Sequence, residues 1–272
     1  MFDILFVKTF FIVGLMLIIT TICTRINKEY ETTAEALFTV LGAFIFLFAI
    51  TYFSHIFPLN IFLVSCFAGV VGWSLGPTIT SLGRDWKFRK LLKKKGVKTK
   101  KDKKDKDIII YYKEDKKGQI QIIPDKEIEE LRADLEEKIS RGGDPYLKEW
   151  QNIVFQAMLG TTIAVIATAS IVFLSSLDFS FLGIFLFIAL LILILMTVLN
   201  FIFFKSRYFS LLKAYFGVVL FILYLLYDFG RLRDLMTEGT TSWSAAIDIA
   251  VNLYLDIINL FLFMLDIIGG RN

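Results

Sequence analysis

The chain is poor in the residues that build most catalytic and metal sites, with one histidine and two cysteines in 272 residues. Ser-His catalysis and histidine-bound zinc need histidines deep inside a fold, whereas His55 lies at the end of an apolar segment. Cys23 and Cys66 lie in or beside apolar segments and do not make a disulfide framework. No glycine-rich nucleotide-binding loop is present in the sequence. We therefore expect no enzyme, no cofactor and no nucleic-acid partner.

Long apolar runs dominate the sequence instead. The hydrophobic fraction is 56%, there are 28 phenylalanines, and the mean hydropathy is +0.64. Runs of about 20 apolar residues without period-2 alternation predict helices that cross a bilayer. The first run contains Lys8 and has no small-residue cleavage site after it, which favours a retained helix over a signal peptide. Seven candidate spans follow: Ile4–Cys23, Ala34–His55, Leu59–Thr80, Ile153–Leu174, Phe179–Phe204, Phe209–Asp228 and Ala245–Ile268.

A charged insertion separates the third span from the fourth, which divides the chain into residues 1–83, 84–148 and 149–272. It opens with a basic cluster over Arg84–Lys95, and the Lys/Asp run from Lys98 to Lys106 predicts disorder. Two short segments rich in β-branched and aromatic residues, Ile108–Tyr112 and Gln119–Ile123, predict a hairpin around Glu114–Gly118. Helical spacing then predicts one amphipathic helix through Ile128, Leu131, Leu135 and Ile139. So small a unit is marginal alone, and we expect it to dock on another surface.

Lysine and arginine also predict the orientation of the chain. The ends after spans one, three, five and seven carry basic residues, whereas the opposite loops His55–Pro58 and Ser175–Asp178 carry none and the last loop carries only Arg231 and Arg233. The basic residues are Arg25, Lys28, the Arg84–Lys95 cluster, Lys205, Arg207 and Arg271. This bias places the N-terminus outside and the C-terminus and insertion in the cytoplasm. The insertion is then expected to meet anionic lipid or a protein partner.

The last span carries a polar stripe in an otherwise apolar helix. Its members recur at i, i+4, i+8 and i+11, on one helical face: Asp248, Asn252, Asp256 and Asn259. A carboxylate at the depth of Asp256 costs several kcal/mol (roughly 2.5 to 3.5) unless it is paired, protonated or wetted. One interpretation is a stripe of interhelical hydrogen bonds that only holds the bundle together. The other is an ion or proton pathway that uses the carboxyl group.

A second acid, Asp228, ends the preceding span. Arg231 lies three residues on and is placed to form an ion pair at the interface. Alternatively, Asp228 meets Asp256 across the helix interface, where two carboxylates cannot both ionise cheaply and the pair keeps one proton near neutrality. Such a pair switches between a closed, hydrogen-bonded state and an open, ionised one. Two carboxylates also suit a hard cation, but do not choose among H⁺, Na⁺ and Ca²⁺.

These residues resemble the signature of the transmembrane Bax inhibitor motif family. The resemblance rests on Tyr227-Asp228, on Leu253–Phe261, on Pro58–Asn60 with Gly69, Gly72, Gly76 and Pro77, and on Leu177–Gly183. It extends over seven helices and implies a bundle with the last helix at the centre. It also implies a pH-sensitive calcium leak in which Asp228 and Asp256 form the pH-sensing pair. Calcium is expected as the transported ion only on this ground.

Three positions are candidates for a basic latch on the acid pair. Bacterial members of the family can carry an arginine-rich loop between spans two and three, but Ser54–Pro58 has no lysine or arginine. His55 lies on the same side as Asp228 by topology, and an imidazole can gain a positive charge, so it is one substitute. Arg231 and Lys8 are the others. The plainer interpretations are an interfacial histidine and a lysine that extends toward the headgroups.

The sequence thus predicts an all-α membrane protein, a seven-helix bundle with a small soluble insertion of hairpin and helix. It acts as a pH-sensitive cation leak, with calcium the expected ion. The alternative is a non-conducting scaffold that works through its basic insertion. A retinal-type receptor is excluded because Ala245–Ile268 contains no lysine for a Schiff base.

Overall fold

The computed structural model describes residues 3–101, 109–114, 119–175, 177–200, 202 and 207–270. Within them the helices are α1 (Ile4–Ile26), α2 (Thr33–Phe53), α3 (Leu59–Lys94), α4 (Asp125–Ser140), α5 (Leu147–Leu174), α6 (Leu182–Leu199), α7 (Arg207–Thr237) and α8 (Trp243–Gly270). The strands are β1 (Val97–Lys101), β2 (Ile109–Glu114) and β3 (Ile120–Ile123). Seven helices of this described part, all but α4, are long and apolar enough to cross a membrane. The predicted fold class, an all-α multi-pass membrane protein, is confirmed.

The last helix lies at the centre of the bundle. α8 packs against α1, α3, α5 and α7, whereas α2 packs mainly on α3 and α6 mainly on α7. The exposed side chains of α2 and α6 are large and apolar, such as Phe48 and Ile184, as expected of surfaces that face lipid. α8 is therefore the element that most of the other spans contact.

Close contact between α1 and α3 depends on glycines of α3. A Cβ atom at Gly72 would lie 2.6 Å from the carbonyl oxygen of Thr20, and one at Gly76 would overlap the carbonyl oxygen of Asn27. Small residues let helix backbones approach in lipid, where no hydrophobic force drives helices together. The short distance permits interhelical hydrogen bonds: Thr24 Oγ1 donates to the Gly72 carbonyl at 3.1 Å, and Asn27 Nδ2 donates to the Trp73 carbonyl at 3.1 Å.

Several helices extend beyond the apolar runs that predicted them. α3 was expected to end at Thr80 but continues to Lys94, because Trp86, Phe88 and Leu92 are buried against the insertion. α7 was expected to end at Asp228 but continues to Thr237. Hydropathy identifies only the part of a helix that lipid covers, whereas contacts with other parts of the protein stabilise the rest of the helix. The expected end of the fifth span, at Phe204, lies outside the described residues.

The insertion contains the predicted hairpin and helix, and one strand more. β2 pairs antiparallel with β3, with Tyr111 opposite Ile123, and the intervening residues 115–118 are outside the described part. The prediction of disorder from Lys98 onward is wrong for Lys98–Lys101, which form β1 against β2. Val97 is buried at the start of β1, and Lys98 Nζ donates to Glu114 at 2.5 Å, a hydrogen bond that raises the pKa of Lys98. The rest of that Lys/Asp run, residues 102–106, is also outside the described part.

The insertion docks on one end of the bundle, here called the insertion side, where α3 ends and α5 begins. One apolar cluster joins its strands and α4 to the ends of α3, α5 and α8: Trp86, Phe88, Leu92, Val97, Ile123, Ile128, Leu135, Tyr146, Trp150, Ile153, Ala157 and Leu265. Lys87 Nζ donates to Asp144 Oδ2 at 2.5 Å beside it, with both side chains less than one tenth exposed. The expectation that so small a unit needs a docking surface is met by the bundle itself.

We expect Gly76→Ala to separate α1 from α3 and to destabilise the bundle by about 1–3 kcal/mol, the usual range for overpacking. Two backbone carbonyls, of Asn27 and Thr24, occupy the space that the new methyl group needs, and backbone cannot turn aside as a side chain can. Gly14→Ala is the matched control, because no atom lies within 4 Å of a Cβ there. Thermal unfolding of the purified protein in detergent measures both variants. Equal midpoints for the two would contradict the packing argument.

We expect Lys87→Met to destabilise the insertion strongly, by about 3–5 kcal/mol, because it leaves the carboxylate of Asp144 buried without its cation. Adding Asp144→Asn should restore much of the loss. The second change removes the unpaired charge, and its side-chain oxygen still accepts from the Tyr146 N–H, which Asp144 Oδ1 does at 2.9 Å. Hydrogen exchange of α4 and the strands reports the local stability. If the single variant exchanges no faster than the wild type, the pair is not structural.

Candidate functional site: a carboxyl pair inside the bundle

Asp228 of α7 and Asp256 of α8 meet inside the bundle. Their residues are 3% and 5% exposed, and the two carboxyl groups interact across the interface between α7 and α8. A hydrogen bond between carboxyl groups requires a proton on one of them, because two carboxylates would repel and neither could donate. The arrangement is therefore suited to hold one proton between the two helices.

The surroundings of Asp256 offer it little else. Its Oδ2 atom is buried, and no nitrogen or hydroxyl group of the described residues donates to it. A buried oxygen without a donor is costly when it carries charge. Within the described part of the chain, Asp228 is the titratable group that interacts with the Asp256 side chain.

A cavity of about 260 Å³ lies beside the pair and gives it a polar opening. Asn252 and Asn259 of the predicted stripe line it together with both acids. Asn259 Nδ2 donates to the Leu255 carbonyl of its own helix at 2.8 Å, which leaves Oδ1 free to face the cavity. The remaining lining residues come from α6, α7 and α8: Leu190, Phe221, Tyr224, Tyr227, Arg231 and Leu255. The volume is enough for several waters, which the pair needs for proton exchange.

Arg231 lies between the acid pair and Asp248, the remaining member of the polar stripe. Its guanidinium lies 2.8 Å from Asp248 Oδ2 and 3.6 Å from Asp228 Oδ1, and it also lies over the ring of Tyr227. Because α7 continues past Asp228, Arg231 comes one turn later on the same face. The two interpretations of Asp228 are therefore not exclusive: it meets Asp256 and it also lies beside Arg231. Asp248, half-exposed, is the closer partner of the arginine.

The structure places neither His55 nor Lys8 beside Asp228. α2 ends at Phe53, so His55 lies in the following turn, where its side chain is exposed and has no hydrogen bond or ion pair among the described residues. Lys8 Nζ donates to the Thr241 carbonyl at 2.7 Å and lies 4.7 Å from the centre of the Trp243 ring. This lysine thus binds the segment that begins α8, and Arg231 is the candidate latch that reaches the acid pair.

The pair does not extend into a larger cluster of metal ligands. Within the described residues, no group of three or more His, Cys, Asp or Glu side chains is placed to hold an ion. Asp228 and Asp256, the candidate metal ligands of the sequence, are supplemented only by the amides of Asn252 and Asn259 along the cavity. Such a set suits passing contacts with a cation better than a resident one.

Sequence reasoning missed the aromatic part of the site. Tyr224 precedes Asp228 by four residues and so shares its helical face, and this spacing is a signal that could have found it. No signal marked Leu190, because its position depends on how α6 packs. A separate hydrogen bond joins α1 to α8 two residues before Asp256: Thr20 Oγ1 lies 2.6 Å from the Tyr254 hydroxyl.

Comparison with known proteins finds relatives of the part of the chain that contains this site. The family described as inhibitor of apoptosis-promoting Bax1 matches residues 146–272, which cover the last four spans and both acids. A Golgi anti-apoptotic protein of Vaccinia virus (strain Lister) is 37% identical over 121 residues, 44% of this chain and 48% of that protein. Protein LIFEGUARD 4 of Arabidopsis thaliana is 32% identical over 118 residues, 42% of this chain and 46% of that protein.

The chain spans about half the length of the curated relatives that it matches. The match begins at the start of α5, so it includes neither the insertion nor the glycines of α3. The resemblance that the motifs around Asp228 and Asp256 indicated is confirmed over residues 146–272, where this multi-pass membrane protein matches the Bax inhibitor family.

Proposed function

We propose that the protein is a pH-regulated cation leak whose gate is the carboxyl pair of Asp228 and Asp256. The observation that carries the proposal is a buried pair of neighbouring acids that lines a cavity within membrane-spanning helices. Structural hydrogen bonds in membranes rarely need acids, because amides and hydroxyls serve at lower cost. An acid pair at this position is explained by a function that binds and releases a proton.

The depth of the pair supports this proposal. Asp256 lies 13 residues after Trp243 and 14 before Gly270, about 20 Å from either end of α8 at 1.5 Å per residue. Asp228 lies nine residues before the end of α7, about 14 Å from it. A gate at this depth separates one aqueous side from the other.

The chemistry of the gate follows from charge. While one proton is shared, α7 and α8 are held together and the path is closed. When that proton leaves, two carboxylates repel and the helices separate at the pair. The other charged and titratable groups that face the pair are Arg231, Asp248, Tyr224 and Tyr227. Arg231 compensates part of the negative charge.

The transported ion in this proposal is calcium. Carboxylate and amide oxygens suit hard cations, and the choice of calcium rests on the family resemblance. The N-terminus is outside and the C-terminus and insertion are cytoplasmic in this proposal. Its support is the distribution of lysine and arginine, since the basic residues of α3 lie on the insertion side. The partners proposed for the insertion are anionic lipid or a protein.

In vesicles that contain the purified protein, we expect cation flux to be low while the pair holds its proton and to rise as pH increases. Asp256→Asn should abolish this pH dependence, since an amide neither gains nor loses the proton. Asp228→Asn should alter the dependence because it removes the other partner. The measurement is flux of Ca²⁺, Na⁺, K⁺ and H⁺ across a range of pH.

Asp178→Asn is the matched control for the acid variants. Asp178 is an exposed acid in the loop before α6, where hydrogen bonds from the backbone and hydroxyl of Ser180 lower its pKa. Its replacement should leave the flux curve unchanged. Unaltered pH dependence in both Asp228→Asn and Asp256→Asn would contradict the gate.

Arg231→Gln should move the rise in flux to higher pH. A cation 3.6 Å from Asp228 favours its ionised form, so its removal makes the shared proton harder to lose. His55→Ala should not move the curve, because His55 has no contact with Asp228 among the described residues. The same flux assay compares the two. A shift in His55→Ala without one in Arg231→Gln would assign the latch to the histidine instead.

One observation favours the second candidate, a non-conducting scaffold. The edge strand β3 exposes Ile120 and Ile122, 66% and 65% accessible, and the opposite edge strand, β1, carries lysines. Exposed isoleucines on a small sheet are consistent with a partner surface. A scaffold would conduct no cation at any pH in vesicles, whatever residue stands at position 256.

A further inference from the structure

A second cavity lies on a different face of α8 from the carboxyl pair. It is a groove of about 340 Å³ bounded by α1, α3, α5 and α8. Ile257, Ile258 and Phe261 of α8 form its floor, whereas Asp256 and Asn259 line the cavity on the other side. Leu75, Ile79 and Val154 add to its apolar wall.

The threonine hydroxyls of the groove already form hydrogen bonds within the protein. Thr21 Oγ1 donates to the Leu17 carbonyl at 2.7 Å, and Thr161 and Thr162 donate to carbonyls one turn earlier at 2.9 Å each. Their methyl groups are left for the groove. The surface therefore favours hydrocarbon over water.

The groove is open on its lipid side. Thr21, Met158 and Thr162 line it and are exposed, Met158 by 56%, although all three lie within helices that cross the membrane. α1 and α5, which flank the opening, both pack against α8. In a bilayer such an opening admits a lipid chain before any soluble molecule.

Arg25 supplies a positive charge at the insertion-side end of the groove. It lies in the last turn of α1, is exposed, and forms no ion pair with any described residue. The acid nearest to it in sequence, Glu29, is paired with Arg84 of α3. The guanidinium is thus available to an anion at the level where the apolar run of α1 ends.

We infer that this groove is a binding site for an anionic phospholipid of the insertion-side leaflet, with an acyl chain against Ile257, Ile258 and Phe261 and the phosphate on Arg25. Basic pockets between membrane helices bind anionic headgroups in this manner. Guanidinium is the side chain that best matches phosphate, through parallel N–H donors. The inference does not depend on the proposed cation leak, since it uses neither acid.

The role of the Arg25 charge is tested by titrating the full-length protein in detergent with phosphatidylglycerol or with phosphatidylcholine that has the same acyl chains. Native mass spectrometry counts the bound lipid molecules. Phosphatidylglycerol should bind in preference, and Arg25→Gln should weaken its binding about fivefold. Arg25→Lys should retain most of the preference for the anionic lipid. Lys28→Gln removes an equal charge from an exposed residue three positions away and should bind as the wild type does.

The role of the groove is tested separately by a variant that fills it with a larger side chain. Thr21→Phe should reduce phosphatidylglycerol binding, while Thr51→Phe, the same change at an exposed threonine of α2 outside the groove, should not. Glycerol 3-phosphate, an anionic headgroup without chains, should fail to compete. Equal binding of the two lipids, equal losses in Arg25→Gln and Lys28→Gln, or competition by glycerol 3-phosphate would each overturn the assignment.

Discussion

The cost of a carboxyl group inside a bilayer is the constraint on which the centre of this structure depends. Asp256 lies in the middle of α8, where other helices surround it and the carboxyl group of Asp228 is its neighbour. The asparagines of the stripe line a polar cavity beside the pair. Arg231 lies between Asp228 and Asp248, so that the Asp248 end of the polar stripe is also paired. A lipid-facing position for any of these groups would leave it unsatisfied.

The packing of α1 on α3 depends on small residues rather than on hydrophobic force. The close approach of α3 to α1 at Gly72 and Gly76 lets backbone carbonyls accept side-chain hydrogen bonds. Large apolar side chains, by contrast, are concentrated on lipid-facing surfaces such as α2. The two cavities lie on different faces of α8, one of them where α1, α3, α5 and α8 meet. A shift of α8 that widened one would change the other.

The seven helices and the polar stripe could be predicted because each has a signal of its own. Bilayer thickness sets the length of an apolar run, and the 3.6-residue period places Asp256 and Asn259 on one face. The ends of α3 and α7 could not be predicted, since they depend on contacts of Leu92 and Arg231 with distant parts of the chain. β1 was missed because a lysine-rich strand has no alternation to find; only its pairing with β2 defines it. The choice of Arg231 over His55 likewise depends on where helices end, which local sequence does not determine.

The insertion and the acid pair are connected by the same helix. α8 carries Asp256 at its middle, and its last turns enter the insertion cluster through Leu265, while Arg89 of α3 donates to the Gly269 carbonyl at 3.3 Å. α3 in turn runs without interruption from the glycines that contact α1 to the insertion at Lys94. Coupling between two sites needs an element that both of them contact and that can adopt two arrangements. α8 satisfies the first condition, and the separation of α7 from α8 at an ionised acid pair would supply the second. Binding at the insertion that shifts α8 would then change how readily the pair loses its proton, and by linkage the state of the pair would change affinity at the insertion.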